Sequence, residues 1–123
     1  MREADMVRKI KMELKARYGV ECVKHYGSPY SEKGTADLLC AVPQPRGTAA
    51  FAAFEVKVGP RSKPTPSQLA WIERYRRAGA LATVVHSVDE AEQALARAGL
   101  ILHDLSRLSP EEAARVMKLD NDV

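Results

Sequence analysis

The sequence lacks the features that mark membrane, secreted and zinc-binding proteins. No apolar run approaches the roughly 18 residues needed to cross a bilayer, and the N-terminal segment is charged from Arg2 onward, unlike a signal peptide. The two cysteines, Cys22 and Cys40, form no CxxC pair, and the three histidines are scattered. Because neither a disulfide framework nor a set of zinc ligands is indicated, we expect buried free thiols in a cytoplasmic protein with no membrane association.

Positive charge exceeds negative charge only slightly: the net charge is +3 and the pI is about 9.0. The basic residues are nevertheless clustered along the chain. They are Arg8, Lys9, Lys11, Lys15 and Arg17 in the first segment, Arg61 and Lys63 in a loop, and Arg74, Arg76 and Arg77 later on. A phosphate-bearing partner would favour such clusters, because each contact releases counterions. Solvated helix faces would look the same, so both interpretations stay open.

Hydrophobic periodicity and turn signals predict the element order α-β-β-β-α-β-α. The predicted helices cover residues 3–18, 66–78 and 88–99, and the predicted strands cover 20–25, 37–42, 49–58 and 81–86. A short strand at 100–103 and a helix at 110–119 follow in a C-terminal extension of residues 100–123. A length of 123 residues suits one domain, with its core at about 3–99. This order favours an α/β fold in which helices flank a mixed sheet.

Two acidic residues and a lysine stand where neighbouring strands meet. Alternation along residues 49–58 places Glu55 and Lys57 on one face, while the opposite face is wholly apolar and belongs to the core. Asp37 begins the preceding strand, and the short turn between the strands makes them an antiparallel hairpin. If the pairing sets Asp37 near Glu55, two carboxylates converge beside one lysine at the sheet edge.

This arrangement suits the hydrolysis of a phosphodiester. Asp37, Glu55 and the backbone carbonyl of Val56 supply the oxygen ligands that Mg²⁺ prefers, and the ion would activate a bound water. Lys57 would orient that water or stabilise the charge that grows on the phosphate. A Glu-Val-Lys strand end is also common as a solubilising charge pattern, so a structural salt-bridge cluster is an alternative.

Two further residues have both a structural and a catalytic interpretation. Gln68 follows Thr65 and Pro66 as the third residue of a capping box, and it would equally reach the acidic pair from the start of the next helix. Glu3 favours the dipole at its helix start, yet it lies on the same side as the apolar stripe and would need an inward partner.

Taken together, these residues resemble the VRR-NUC (virus-type replication-repair nuclease) family of the PD-(D/E)XK superfamily. The matching positions are Glu3, Gly34 to Asp37, Glu55 to Lys57 with Gly59, and Gln68, within a similarity over about residues 3–95. Ala36 stands where that family usually has proline, a residue that shapes the backbone and binds nothing. The resemblance implies a restriction-endonuclease-like core, a Mg²⁺ or Mn²⁺ cofactor and catalytic roles for Asp37, Glu55, Lys57, Gln68 and Glu3.

The resemblance also implies that the substrate is DNA, branched as in a Holliday junction, and that the protein is a homodimer in a bacterial or phage-infected cell. Lys24, Arg61 and Lys63 would then contact DNA, although ordinary solvated charges fit equally well. The apolar residues of the extension, from Leu100 to Leu119, would form part of the dimer interface. Two alternatives remain: a sequence-specific restriction-type endonuclease, which needs extra elements to read bases, and a non-catalytic DNA-binding module of the same fold.

Overall fold

A four-stranded mixed sheet lies at the centre of the computed structural model, which describes residues 1–101, 109–112 and 114–115. The elements are α1 (Glu3–Tyr18), β1 (Glu21–Lys24), β2 (Leu38–Pro43), β3 (Ala49–Val56), α2 (Pro66–Arg77), β4 (Leu81–Val85) and α3 (Val88–Arg97), with a short 3-10 turn (Pro45–Gly47) between β2 and β3. This is the predicted order, and the α/β class with helices flanking a mixed sheet is confirmed.

The strands lie in the order β1-β2-β3-β4. β1, β2 and β3 are antiparallel neighbours, whereas β4 runs parallel to β3 because α2 returns the chain to the same edge before β4 begins. β3 is therefore an inner strand, flanked by β2 on one side and β4 on the other. Its last residues lie between the start of β2 and the end of β4.

Apolar side chains fill both faces of the sheet. On one face, α1 and α3 pack on β3 through a cluster that includes Ile10, Leu14, Phe54, Val56 and Leu95, all with no exposed area. On the other face, α2 packs on a smaller cluster through Trp71 and Ile72. The alternation predicted for residues 49–58 is thus confirmed, since Phe54 and Val56 lie in the first cluster. Among the described residues, no helix is long and apolar enough to cross a membrane.

Two helix ends matter for the position of functional groups. The side chain of Thr65 accepts a hydrogen bond from the Gln68 backbone N–H, and the Gln68 side chain accepts one from the Thr65 N–H, so the predicted capping box is present at α2. This box fixes the Gln68 side chain at the first turn of the helix. Gly19 ends α1 in the left-handed conformation, which glycine adopts readily.

The expectation of free thiols is wrong. Cys22 and Cys40 are paired in a disulfide, because they face each other directly in the antiparallel register of β1 and β2, with 4.1 Å between their Cα atoms. An 18-residue separation in the sequence gave no sign of this pairing. In the extension, Leu100 and Ile101 are not part of a strand, and the rest of the strand predicted at 100–103 lies outside the described residues. Residues 110–112 and 114–115 are helical, as expected.

Candidate active site

The edge of the sheet where β2 begins and β3 ends brings two carboxylates together. β2 and β3 pair with Leu38 opposite Phe54, and the same register, continued by one residue, sets Asp37 opposite Glu55. The Asp37 carboxylate accepts a hydrogen bond from the Val56 backbone N–H at 2.8 Å, which fixes it against the end of β3. The convergence of Asp37 and Glu55 that the hairpin predicted is therefore present in the fold.

Glu55 is the buried member of this pair, with 1% of its surface exposed. Burial raises the pKa of its carboxyl group from 4.5 to about 8, the neighbouring Asp37 carboxylate adds to the rise, and Lys57 partly opposes it. One Glu55 oxygen, Oε2, is buried without a hydrogen-bond partner among the described residues. A buried acceptor of this kind, beside a second carboxylate, needs a proton or a cation to offset its charge.

Gln68 connects the Glu55 carboxylate to α2. Its amide Nε2 donates a hydrogen bond to Glu55 Oε1 at 3.1 Å, while its Oε1 accepts the capping bond from the Thr65 N–H at 2.8 Å. The capping contact and the contact with the acidic pair are therefore made by opposite ends of one side chain, the Oε1 and the Nε2 of Gln68. The cap orients the amide, and the oriented amide holds the Glu55 carboxyl group in one rotamer.

Glu3 also reaches this edge, from the first turn of α1. Its side chain is half-buried, and Oε1 accepts a hydrogen bond from the Ser62 hydroxyl at 2.6 Å. The Glu3 charge is close enough to contribute to the raised pKa of Glu55. The inward orientation expected for Glu3 is therefore observed, and its hydrogen-bond partner lies in the loop that follows β3.

The residues at this edge fit a divalent cation. Within residues 1–101, 109–112 and 114–115, no three His, Cys, Asp or Glu side chains form a group that could hold a metal ion. Asp37 and Glu55 supply two carboxylates, so a cation held there would need backbone or water oxygens to complete its shell, as Mg²⁺ commonly has. The unpartnered Oε2 of Glu55 supports this fit, because it is an oxygen ligand that no protein donor occupies.

A close backbone approach sets the distance between Asp37 and Gln68. Gly34 has φ +84°, and a Cβ atom placed on it would lie 2.2 Å from the backbone oxygen of Ser67. The loop that leads to Asp37 therefore runs against the first turn of α2 without room for a side chain. Only glycine satisfies both the positive φ and the contact.

The basic residues outside α1 fall into two groups. Arg61 and Lys63 are exposed in the loop after β3, and Lys24 ends β1, with its ammonium 5.3 Å from the centre of the Tyr26 ring. The arginines of α2, by contrast, have protein partners. Arg74 pairs with Glu32, Arg76 donates to the carbonyl of Ala82, and Arg77 pairs with Glu73. Two of these contacts, those of Arg74 and Arg76, join α2 to other segments, and that of Arg77 lies within the helix.

Sequence reasoning missed two residues that the structure places at this edge. Ser62 binds Glu3, and nothing in its loop sequence distinguished it from other loop serines. His25 seemed an ordinary histidine, yet its backbone N–H donates to the Asp37 carbonyl at 2.8 Å, and its buried ring Nε2 has no hydrogen-bond partner in the described part of the chain. Nothing in the sequence indicated this contact, because it depends on the register of β1 against β2.

The raised pKa of Glu55 predicts how stability depends on pH in the absence of metal. The folded state holds a proton on Glu55 up to about pH 8, whereas the unfolded chain releases it near 4.5. The contribution to stability is therefore full below pH 4.5 and is lost as the pH rises through 8. We expect the free energy of unfolding in EDTA to fall by at most about 1.4 kcal/mol per pH unit across this window. Urea titrations of wild type and Glu55→Gln across this pH range test the expectation. An equal slope of unfolding free energy against pH in the two proteins would contradict the raised pKa of Glu55.

The two contacts of Gln68 can be separated by mutation. Gln68→Ala removes both the cap and the hydrogen bond to Glu55, whereas Thr65→Ala weakens the cap and leaves Nε2 beside Glu55. We expect both variants to lose about 1 kcal/mol of unfolding free energy or less. Turnover should fall about a hundredfold in Gln68→Ala alone, since only this variant frees the Glu55 carboxyl group. Equal turnover in the two variants would show that Gln68 is only a cap.

Comparison with proteins of known structure gives two informative matches. A structure described as a "VRR_NUC domain" is 32% identical, with a TM-score of 0.59, over 77% of this chain and 94% of the other. A second, described as a "VRR_NUC domain protein", is 19% identical with a TM-score of 0.55, over 78% of this chain and 86% of the other, and it shows likeness of fold alone. No protein-family model and no curated protein sequence matches the chain.

Proposed function

Because the chain belongs to the VRR_NUC family, we propose that it is a metal-dependent endonuclease that hydrolyses phosphodiester bonds in DNA. The observation that carries this proposal is the site at the end of β3. Asp37 and a buried Glu55 with an unpartnered oxygen lie side by side there, with Lys57 two residues further on. A chain that kept the fold only for assembly would have no need to bury a carboxylate of this kind, which costs stability.

In this proposal, Asp37, Glu55 and the Val56 carbonyl are the groups that would hold Mg²⁺ or Mn²⁺. The bound ion would supply a water of lowered pKa and neutralise charge on the phosphate. Hydrolysis joins a water oxygen to phosphorus and breaks one ester bond, so the water loses a proton and the leaving oxygen gains one. Lys57 places a positive charge beside the phosphate while negative charge accumulates there. Gln68 acts by orienting Glu55, and Glu3 acts by orienting the loop that contains Ser62.

The preferred substrate in this proposal is branched DNA such as a four-way junction, and Lys24, Arg61 and Lys63 contact its phosphates. The test is cleavage of a labelled four-way junction, with a linear duplex of the same sequence as control, in Mg²⁺, in Mn²⁺ and in EDTA. We expect metal-dependent cuts near the branch by wild type and none by Glu55→Gln. Binding without cleavage in either metal would favour the non-catalytic module. Cuts at a fixed base sequence in the linear duplex would favour a restriction-type enzyme.

A homodimer is part of the same proposal, since paired cuts across a two-fold symmetric branch need two related sites. The extension contains apolar residues suited to an interface. Ile101 packs on the core of its own chain, and the others lie outside the described residues: Leu102, Leu105, Leu108, Val116, Met117 and Leu119. Sedimentation equilibrium at micromolar concentration tests whether the protein is a dimer. A monomer that still makes paired cuts would contradict it.

A further inference from the structure

Two tyrosine rings near the candidate site face solvent. Tyr26 is 76% exposed and Tyr30 is 99% exposed, whereas Tyr18 and Tyr75 pack against the two apolar clusters. Both exposed rings belong to the segment of residues 26–34, which joins β1 to the strand that follows Asp37. An aromatic ring left in water gains free energy when another flat, apolar surface covers it. These two rings therefore offer exposed stacking area in the segment that leads to Asp37, and the Lys24 ammonium lies 5.3 Å from the centre of the Tyr26 ring.

The turn that bears Tyr30 is held by its own hydrogen bonds. The Ser31 N–H donates to the Ser28 carbonyl at 3.1 Å, which closes a β-turn with Pro29 and Tyr30 in its two central positions. The Tyr30 N–H donates to the Ser28 hydroxyl at 3.2 Å, and the Ser28 N–H donates to the Ser31 hydroxyl at 3.2 Å. Tyr30 therefore projects from a formed turn, and a ligand would not have to pay the full entropy of ordering it.

The same segment is anchored to α2 and to the site. Glu32 forms an ion pair with Arg74, the Thr35 hydroxyl donates to the Glu32 carbonyl at 2.8 Å, and Gly34 lies against Ser67. The segment and Gln68 line a cleft of about 370 Å³. The position of the two tyrosines is thus tied to the helix that orients Glu55.

A basic groove lies on the α1 side of this segment. It has a volume of about 270 Å³ and is lined by Arg8, Lys11, Lys24 and Tyr26, together with two apolar residues of α1. Arg8 also pairs with Asp5 of the same helix at 3.3 Å. One of the two apolar residues is Ala4, in the same first turn of α1 as Glu3, whose side chain reaches the acidic edge. Cations that follow a backbone, combined with aromatic rings that stack bases, are the features that bind single-stranded nucleic acid without sequence preference.

We propose that Tyr26 and Tyr30, with the groove of Arg8, Lys11 and Lys24, bind unpaired nucleotides of the strand that enters the active site. This inference rests on the proposed function and narrows its substrate to DNA that has single-stranded nucleotides at the branch. Within a paired arm each base is stacked between its neighbours, so the arm offers its phosphates to the groove but no free base face to the tyrosine rings. The segment therefore selects the unpaired strand, and cleavage occurs at the acidic pair beside it.

Binding is measured first in EDTA, where no strand is cleaved. The ligand is a single-stranded oligonucleotide with one 2-aminopurine, whose fluorescence falls on stacking, and a duplex of the same length is the comparison. We expect Tyr26→Ala/Tyr30→Ala to lose the quenching and to bind the single strand about fivefold to a hundredfold more weakly. Tyr26→Phe/Tyr30→Phe, which keeps both rings, should retain both properties. Unchanged single-strand affinity in the alanine variant would overturn the inference, and so would an equal loss on the duplex.

The groove is tested with two lysines of the same helix. Lys11 lines the groove and Lys9 is exposed outside it. For the single strand, Lys11→Ala should reduce the slope of log Kd against log salt by about 0.7, whereas Lys9→Ala should leave it at the wild-type value. Equal slopes in the two variants would contradict the assignment of the groove.

A cleavage series in Mg²⁺ separates this inference from the proposed function. The substrates are a junction with unpaired nucleotides at the branch and a fully paired junction. We expect wild type and the phenylalanine variant to prefer the first, and the alanine variant to lose that preference. Metal-dependent cleavage with no preference in wild type would overturn the inference and leave the nuclease intact. Tyrosine-dependent quenching without cleavage of any substrate would support the binding surface and overturn the nuclease.

Discussion

Replacing Lys57 with alanine is expected to lower the DNA cleavage rate by about a hundredfold to a thousandfold or more, with little change in stability or DNA affinity. Lys57 directly follows β3, is half-buried and belongs to neither apolar cluster, so its removal opens no core cavity. Its charge acts on the acidic pair, since it lowers the pKa of Glu55 against the effects of burial and Asp37. Loss of one such preorganised charge at a reacting phosphate has an effect of this size.

Lys63→Ala is the matched control, because Lys63 is an exposed lysine in the loop that follows Lys57. We expect it to weaken DNA binding and leave turnover at saturating DNA unchanged. Single-turnover cleavage rates and urea denaturation of both variants separate the two effects. A large fall in unfolding free energy for Lys57→Ala, with normal turnover of the folded fraction, would show that Lys57 is structural.

Gly34→Ala is expected to lower the free energy of unfolding by about 3 kcal/mol or more. The new Cβ would meet the backbone oxygen of Ser67 at 2.2 Å, and neither backbone can move without displacing a functional group. One side of the contact leads to Asp37 and the other leads to Gln68, so cleavage should fall in the protein that still folds. Urea denaturation and cleavage assays check the two effects.

Gly59→Ala is the control for this substitution. Gly59 has φ +83°, against +84° for Gly34, but a Cβ on it would meet nothing within 4 Å. It therefore carries the same backbone penalty without the clash, and about 1 kcal/mol of destabilisation is expected. Equal losses in the two variants would mean that the loop and α2 separate easily, and that their contact does not set the site.

The sequence predicted the sheet and the acidic pair because both depend on local signals. The apolar alternation of residues 49–58 sets which face of β3 is buried, and a short turn sets the hairpin register that joins Asp37 to Glu55. The capping box at Thr65 is likewise a local pattern. The contact of a residue can be predicted from such local patterns when its partner is close in the chain or directly across a hairpin.

What the sequence did not predict depends on contacts between distant segments. The Cys22–Cys40 pair required the register of β1 against β2, and the α2 arginines found partners in a loop and in β4. The steric role of Gly34 arises only where the loop meets Ser67. Gln68 contacts both Thr65 and Glu55 because α2 and β3 lie at the right distance from each other. The sequence pattern of neither element encodes that distance.

Titration of Mn²⁺ into the protein by calorimetry shows whether Asp37 and Glu55 hold a cation. We expect one site per protomer in wild type and a large loss of binding in Asp37→Ala. Asp5→Ala is the control, since Asp5 is an α1 carboxylate paired with Arg2 and Arg8, and it should bind as wild type does. Equal Mn²⁺ binding by wild type and Asp37→Ala would show that the acidic pair is not a metal site.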